Sequence, residues 1–332
     1  MKRLQALIAI AGVLAALAVA SPAPAYVPNT IDFLGGGPVI TRWPAGAFPV
    51  PMTVTTGLTT DISDGSDRTA LESAMGTWSG LRDSSAGLFL AGEGDVEANV
   101  FDGINAIEFS NSTELAGAGF ITLTYLLTEA DGTIAEADVL VNDREVGFTT
   151  AAGSTVGLDL ETVMLRELGR VLGLSVTPYG GLASDGTVDT TSPVMFGRVR
   201  GIGESARALA EDDTAAMSAM YPSGTSRGTI RGRATRAGAP LFGAHIVAFA
   251  PGQGLTVSGV SLPDGSFEIA GLQPGRYVLE VAPLTGIVRP AALGGIFLRD
   301  DLDTTFQRVF LQQVVSVSAG RVTGGIIAEV QP

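Results

Sequence analysis

Arg166-Glu167-Leu168-Gly169-Arg170 sets two guanidinium groups and one carboxylate within five positions, with Gly173 and Val176 close behind. On a helix, residues three and four apart share a face, so Arg166 and Arg170 stand one turn apart and Glu167 reaches Arg170 at i, i+3. A carboxylate such as Glu167 can take a proton from water, but alone it has no metal to activate that water. Arginine stays protonated and offers a metal no lone pair. Other chemistry is scarce. The chain has no cysteine and one histidine, His245, which excludes thiolate centres and leaves little room for His-rich metal sites or Ser-His-Asp machinery. Asp61, Asp64 and Asp67 could form part of a calcium loop, but their spacing fits turns and a helix cap better than an EF-hand. Nothing places two of the remaining acids across a cleft as a glycosidase pair.

The element that must position Glu167 is a helix predicted over Leu158–Leu174, with Leu160, Met164, Leu168 and Val171 as its buried stripe. An earlier helix runs from Arg68 to about Leu81, capped by Asp67, with Leu71, Met75, Trp78 and Leu81 on its apolar side. A third begins near Glu211-Asp212-Asp213 and ends at Tyr221-Pro222. Met52–Thr56, Gly87–Leu90, Ala106–Phe109, Phe120–Leu127 and Ile134–Val141 read as strands. Asp131-Gly132 turns the last two into a hairpin. Beyond Pro222 the pattern changes to short strands alone: Thr229–Ala234, Ala244–Phe249, Ser266–Ile269, Tyr277–Val281, Phe306–Val317 and Thr323–Val330.

A length of 332 residues suggests two domains. Charged residues are only 16% and apolar ones 45%, too little charge for a solvated disordered chain and enough apolar surface for real cores. The formal net charge is −14 and Lys2 is the only lysine, which argues against a nucleic-acid partner. Lys2 and Arg3 precede the uncharged run Ala6–Ala20, and Ala23-Pro24-Ala25 closes it with a small-x-small site. Residues 1–25 are therefore read as a secretory signal peptide, giving a secreted or extracytoplasmic product with no transmembrane anchor after cleavage.

The helix and its surroundings resemble the matrixin branch of the metzincin metalloproteases, whose signature is H-E-x-x-H-x-x-G-x-x-H followed by a methionine turn. Glu167 and Gly173 match that signature, and Ser192-Pro193-Val194-Met195-Phe196 looks like the methionine turn. Asp131–Asp138, Asn142-Asp143, Phe148-Thr149-Thr150 and Leu209–Asp213 resemble the flanking segments, so the likeness covers roughly Trp43 to Tyr221. The three zinc-ligand positions, however, hold Arg166, Arg170 and Val176. Gly228–Val281 is similar to the carboxypeptidase regulatory-like module, a transthyretin-like β-sandwich.

These resemblances imply an α+β fold: a metzincin-like domain with a twisted mixed sheet and long helices, then a small all-β sandwich. The expected boundaries are a matrixin-like domain over residues 26–222, a linker over 223–228 and the sandwich over 229–332. They imply a secreted pseudoprotease that binds a protein or peptide in the former substrate cleft, with Glu167 left at the general-base position. No cofactor is expected. The alternatives are a zinc metalloendopeptidase with non-standard ligands and a non-catalytic envelope or adhesion protein. Arg166 and Arg170 repel one another, and Glu167, Asp138 or Asp143 could offset that.

Overall fold

The structure, a computed structural model, describes residues 28–32, 38–289, 293–298 and 301–331, so the expected signal peptide lies outside the described residues. The first part of the chain contains β1 (Thr30–Asp32), β2 (Pro38–Ile40), β3 (Val50–Thr55), α1 (Ser66–Ser79), β4 (Leu88–Gly94), β5 (Ala106–Ser110), β6 (Thr122–Thr128) and β7 (Ile134–Asn142). It continues with β8 (Phe148–Thr149), β9 (Leu158–Asp159), α2 (Leu160–Val171) and α3 (Glu211–Met220). Strands dominate the rest: β10 (Gly228–Arg236), β11 (Ala239–Pro240), β12 (His245–Ala250), β13 (Leu255–Val260), β14 (Ser266–Leu272), β15 (Gly275–Ala282), β16 (Val309–Val317) and β17 (Val322–Val330). This is a mixed α+β fold with several sheets and few helices. No helix among the described residues is long and apolar enough to cross a membrane.

A five-stranded sheet in the order β4-β3-β5-β7-β6 carries the first part. Its pairings are parallel except at β6, which lies antiparallel to β7 across the Asp131-Gly132 turn, with Leu126 opposite Ala137. Because β6 pairs only with β7 among the described residues, it is an edge strand. Helices α1 and α2 share one core with the sheet, built on Leu71, Met75 and Trp78 from α1 and Leu160, Met164, Leu168 and Val171 from α2. The α1 cap differs from expectation. Asp64 Oδ1 accepts from the Ser66 amide at 3.0 Å, Gly65 takes a left-handed φ, and the helix starts at Ser66 with Asp67 inside its first turn.

Two further sheets follow. One has the order β11-β10-β14 with β17 parallel to β10; the other is β13-β12-β15-β16. Ile230, Phe267 and Ile326 from the first meet Ile246, Leu279 and Val281 from the second in one core. Helix α3 also reaches that core, through Ala215. Asp212 Oδ1 on α3 accepts from the Ser258 amide of β13 at 2.7 Å. Arg227, in the segment expected to be a linker, reaches Asp83 at 2.8 Å and the carbonyl of Gly271 at 2.9 Å. That segment is therefore fastened on both sides.

Candidate functional site: helix α2 and the Ser192–Phe196 turn

Helix α2 is held at both ends. Asp159 caps it by accepting from the Thr162 amide at 2.8 Å, and Arg207 secures that carboxylate at 2.6 Å. At the other end the backbone carbonyls would lack helical partners. The Trp43 indole donates to the Val171 carbonyl at 2.8 Å, and the Tyr221 hydroxyl donates to Leu172 at 2.8 Å. Midway, the Trp78 indole donates to the Leu165 carbonyl at 2.8 Å and locks α1 onto α2. Gly173 then reverses the chain at φ +93°, where a Cβ would lie 2.7 Å from the Thr41 carbonyl. Only glycine tolerates both conditions.

The Ser192–Phe196 turn lies against α2. Asp213 holds it by accepting from the amides of Val194 at 2.9 Å and Met195 at 3.1 Å, while Arg200 donates to the Ser192 carbonyl at 2.9 Å. The Met195 sulfur packs so closely on α2 that a Cβ at Gly169 would meet it at 2.6 Å, and the Trp78 ring at 2.9 Å. Asp213 was expected only as an N-terminal acid of the third helix, and burial raises its pKa. Nothing in the spacing of Gly169 or Asp213 announces these roles, because both depend on a turn that is distant in sequence.

Arg166 is buried and extends from α2 to the turn, donating through Nη1 to the carbonyls of Val194 at 3.0 Å and of Phe196. Its Nε is buried with no hydrogen-bond partner among the described residues. Burial, with the charge of Arg170 adding to it, lowers the Arg166 pKa to about 10, so the group stays cationic at neutral pH. Glu167 is buried beside it. Its Oε2 accepts from the Thr124 hydroxyl of β6 at 2.7 Å and lies 3.6 Å from Arg170 Nε. Of the three carboxylates considered for pairing, only Glu167 meets the arginines. Asp138 accepts instead from the amides of Asn99 and Ala106, both at 2.9 Å, and Asp143 accepts from Thr59, Thr60 and Asn111.

Val176 does not face open solvent. It sits in a small apolar cluster with Phe196 and with Val260, Leu284 and Val288 from the later part of the chain. Asp61, Asp64 and Asp67 do not converge: Asp61 accepts from the Phe148 amide, Asp64 from Ser66 and Asp67 from the Arg68 amide. Among the described residues, no group of three acid or histidine side chains is placed to hold a metal ion. His245 lies in β12 on the wall of a cleft of about 430 Å³ that also includes Tyr179 and Phe196. Its Nε2 is buried without a hydrogen-bond partner among the described residues, and burial, aided by the charge of Arg308, lowers its pKa to about 4.

No family model and no curated protein matches the chain. Among solved structures, the Bacillus anthracis TIE protein is similar at 16% identity over 32% of this chain and 16% of its own, with a TM-score of 0.22. BcpA, the major pilin subunit of Bacillus cereus, is similar at 17% identity over 32% of this chain and 30% of its own, also at 0.22. The chain thus spans under a third of either protein, and a likeness of this size carries no argument about fold or function.

Proposed function

We propose that this chain is an exported pseudoprotease on a matrixin-like scaffold, joined to a transthyretin-like β-sandwich, and that it binds extended peptides along α2 without cleaving them. The observation that carries this reading is the Arg166 guanidinium, which bonds to the Val194 and Phe196 carbonyls at the first of the positions where the resemblance would place a zinc ligand. A fixed cation there opposes a divalent metal by direct repulsion. The second support is β6, whose outer edge is unpaired among the described residues and whose Thr124 hydroxyl touches Glu167. An exposed sheet edge offers a row of backbone donors and acceptors to an extended peptide, which adds as a further strand.

The test is capture of a random hexapeptide library on the purified full chain, read by mass spectrometry, together with a peptidase assay on the same pool. Retention without cleavage is expected. A Leu123→Pro variant, altered on the edge strand, should lose retention while a fold-sensitive circular dichroism spectrum is preserved. Chelator-sensitive cleavage, or no retention at all, would overturn the reading.

A further inference from the structure

We infer that the exposed side of Arg170 is a carboxylate-binding site; its biological source, the acid group of a bound peptide, rests on the peptide-binding reading above. Arg170 keeps a third of its side chain exposed and has one ionic neighbour among the described residues, Glu167 at 3.6 Å. That is well beyond the roughly 2.7–2.9 Å of a charge-assisted hydrogen bond. Glu167 already accepts from Thr124 at 2.7 Å, so its hold on Arg170 is divided. Among the described residues, Glu167 is the one partner the guanidinium has.

The surrounding charge points the same way. One turn away, buried Arg166 adds a second cation whose Nε has no hydrogen-bond partner among the described residues. Its nearby acid, Asp213, is committed to the amides of Val194, Met195 and Ala210. Within α2, Glu161 is taken up by Arg207 at 3.2 Å, so Arg166 and Arg170 share the single carboxylate of Glu167. Like charges at i, i+4 destabilise one another, and an anion seated on the exposed member relieves that repulsion. A planar carboxylate matches the guanidinium fork with two parallel bonds. The Glu167 carboxylate beside the seat repels a dianion more than a monoanion, which favours a carboxylate over a phosphate.

The test titrates acetate, acetamide and inorganic phosphate into the full chain and follows the arginine Nε–H signals by NMR. Acetate should shift the Arg170 and Arg166 signals with a dissociation constant on the order of tens of millimolar, the strength of one bidentate charged contact. Acetamide should produce no saturable shift, and phosphate should bind more weakly than acetate. Arg170→Gln should abolish the acetate shift at Arg166, and Arg170→Lys should weaken it about threefold or more. Equal responses to acetate and acetamide, or an acetate response that survives in Arg170→Gln, would overturn the site whether or not peptides bind. For the source, hexapeptides with a free C-terminus, a blocked C-terminus plus one internal Asp or Glu, and no acid are compared on the same column. About tenfold enrichment of one acidic class over the neutral one identifies the terminal or the side-chain carboxylate; equal retention of all three overturns the peptide source and leaves the peptide-binding reading standing.

Discussion

Arg166 Nη1 donates to the Val194 carbonyl at 3.0 Å and so ties the middle of α2 to the turn that carries Met195. The same nitrogen also serves the Phe196 carbonyl. Removing the guanidinium strands two buried acceptors, each of which costs about 1–3 kcal/mol when left unpaired. Arg166→Ala should therefore lower unfolding stability by roughly 2–4 kcal/mol, measured in urea. Arg166→Lys should recover only part of that, because an ammonium lacks the planar fork. A loss below about 0.5 kcal/mol, the usual range for surface changes, would mean the contact is dispensable.

Gly169→Ala makes a sharper case, since propensity and packing disagree. In a helix interior alanine is better than glycine by about 1 kcal/mol. Here its methyl would lie 2.6 Å from the Met195 sulfur and 2.9 Å from Trp78. The expected result is net destabilisation of about 1–3 kcal/mol, as for overpacked cores. In a double-mutant cycle with Met195→Ala the penalty should shrink, because the sulfur that clashes is gone. Additive losses would place the strain elsewhere.

The parts of the fold that follow from local pattern were legible before any contact was known. The stripe Leu160, Met164, Leu168 and Val171 is buried on α2 as its spacing predicts, and Asp131-Gly132 does turn β6 into β7. Strand β13 is hidden in the sequence because Leu255–Val260 follows Gly252-Gln253-Gly254 and contains Ser258 and Gly259, a composition typical of loops. Its burial comes from pairing with β12, His245 opposite Val260, which is a tertiary property. The site divides in the same manner. The pairing of Glu167 with Arg170 is an i, i+3 relation that the sequence displays; the Arg166 contact with the turn and the apolar cluster that holds both Val176 and Val288 join segments distant in sequence.

Asp212 predicts how stability responds to pH. Its carboxyl is buried between α3 and β13, accepting from Ser258 and Thr177, and burial, with the charge of Asp213 adding, raises its pKa to about 7. The folded state thus keeps a proton that the unfolded chain releases from about pH 4 upward. That contribution is complete at low pH and is lost as pH rises toward 7. His245 acts in the opposite sense. With its pKa lowered to about 4, folding favours the neutral ring and loses stability as pH falls below about 6.5. Asp212→Asn should flatten the decline in stability between about pH 4 and 7, and His245→Gln should flatten the decline between about pH 6 and 4. An unchanged pH profile in Asp212→Asn would remove this carboxyl as the cause.

Metal content gives the last prediction, and the contacts of Val176 refine it. The unmodified chain should hold less than about 0.1 zinc per molecule after dialysis, because a zinc centre takes three or four Cys, His, Asp or Glu donors and positions 166 and 170 carry cations. Restoring imidazoles through Arg166→His, Arg170→His and Val176→His tests whether the helix and the chain after Gly173 keep metzincin spacing. The triple variant should bind zinc at near one equivalent, yet fold less stably without it. It loses the Arg166 bonds to the turn, and it replaces a valine packed against Phe196, Val260 and Val288 with a polar ring. Zinc at a hundredfold excess over its dissociation constant should return about 2.7 kcal/mol of that loss, since only the folded state holds the three ligands together. A triple variant that folds but takes up no zinc would show that the ligand positions diverge. Zinc uptake with no recovery of stability would show that the ion binds somewhere other than this site.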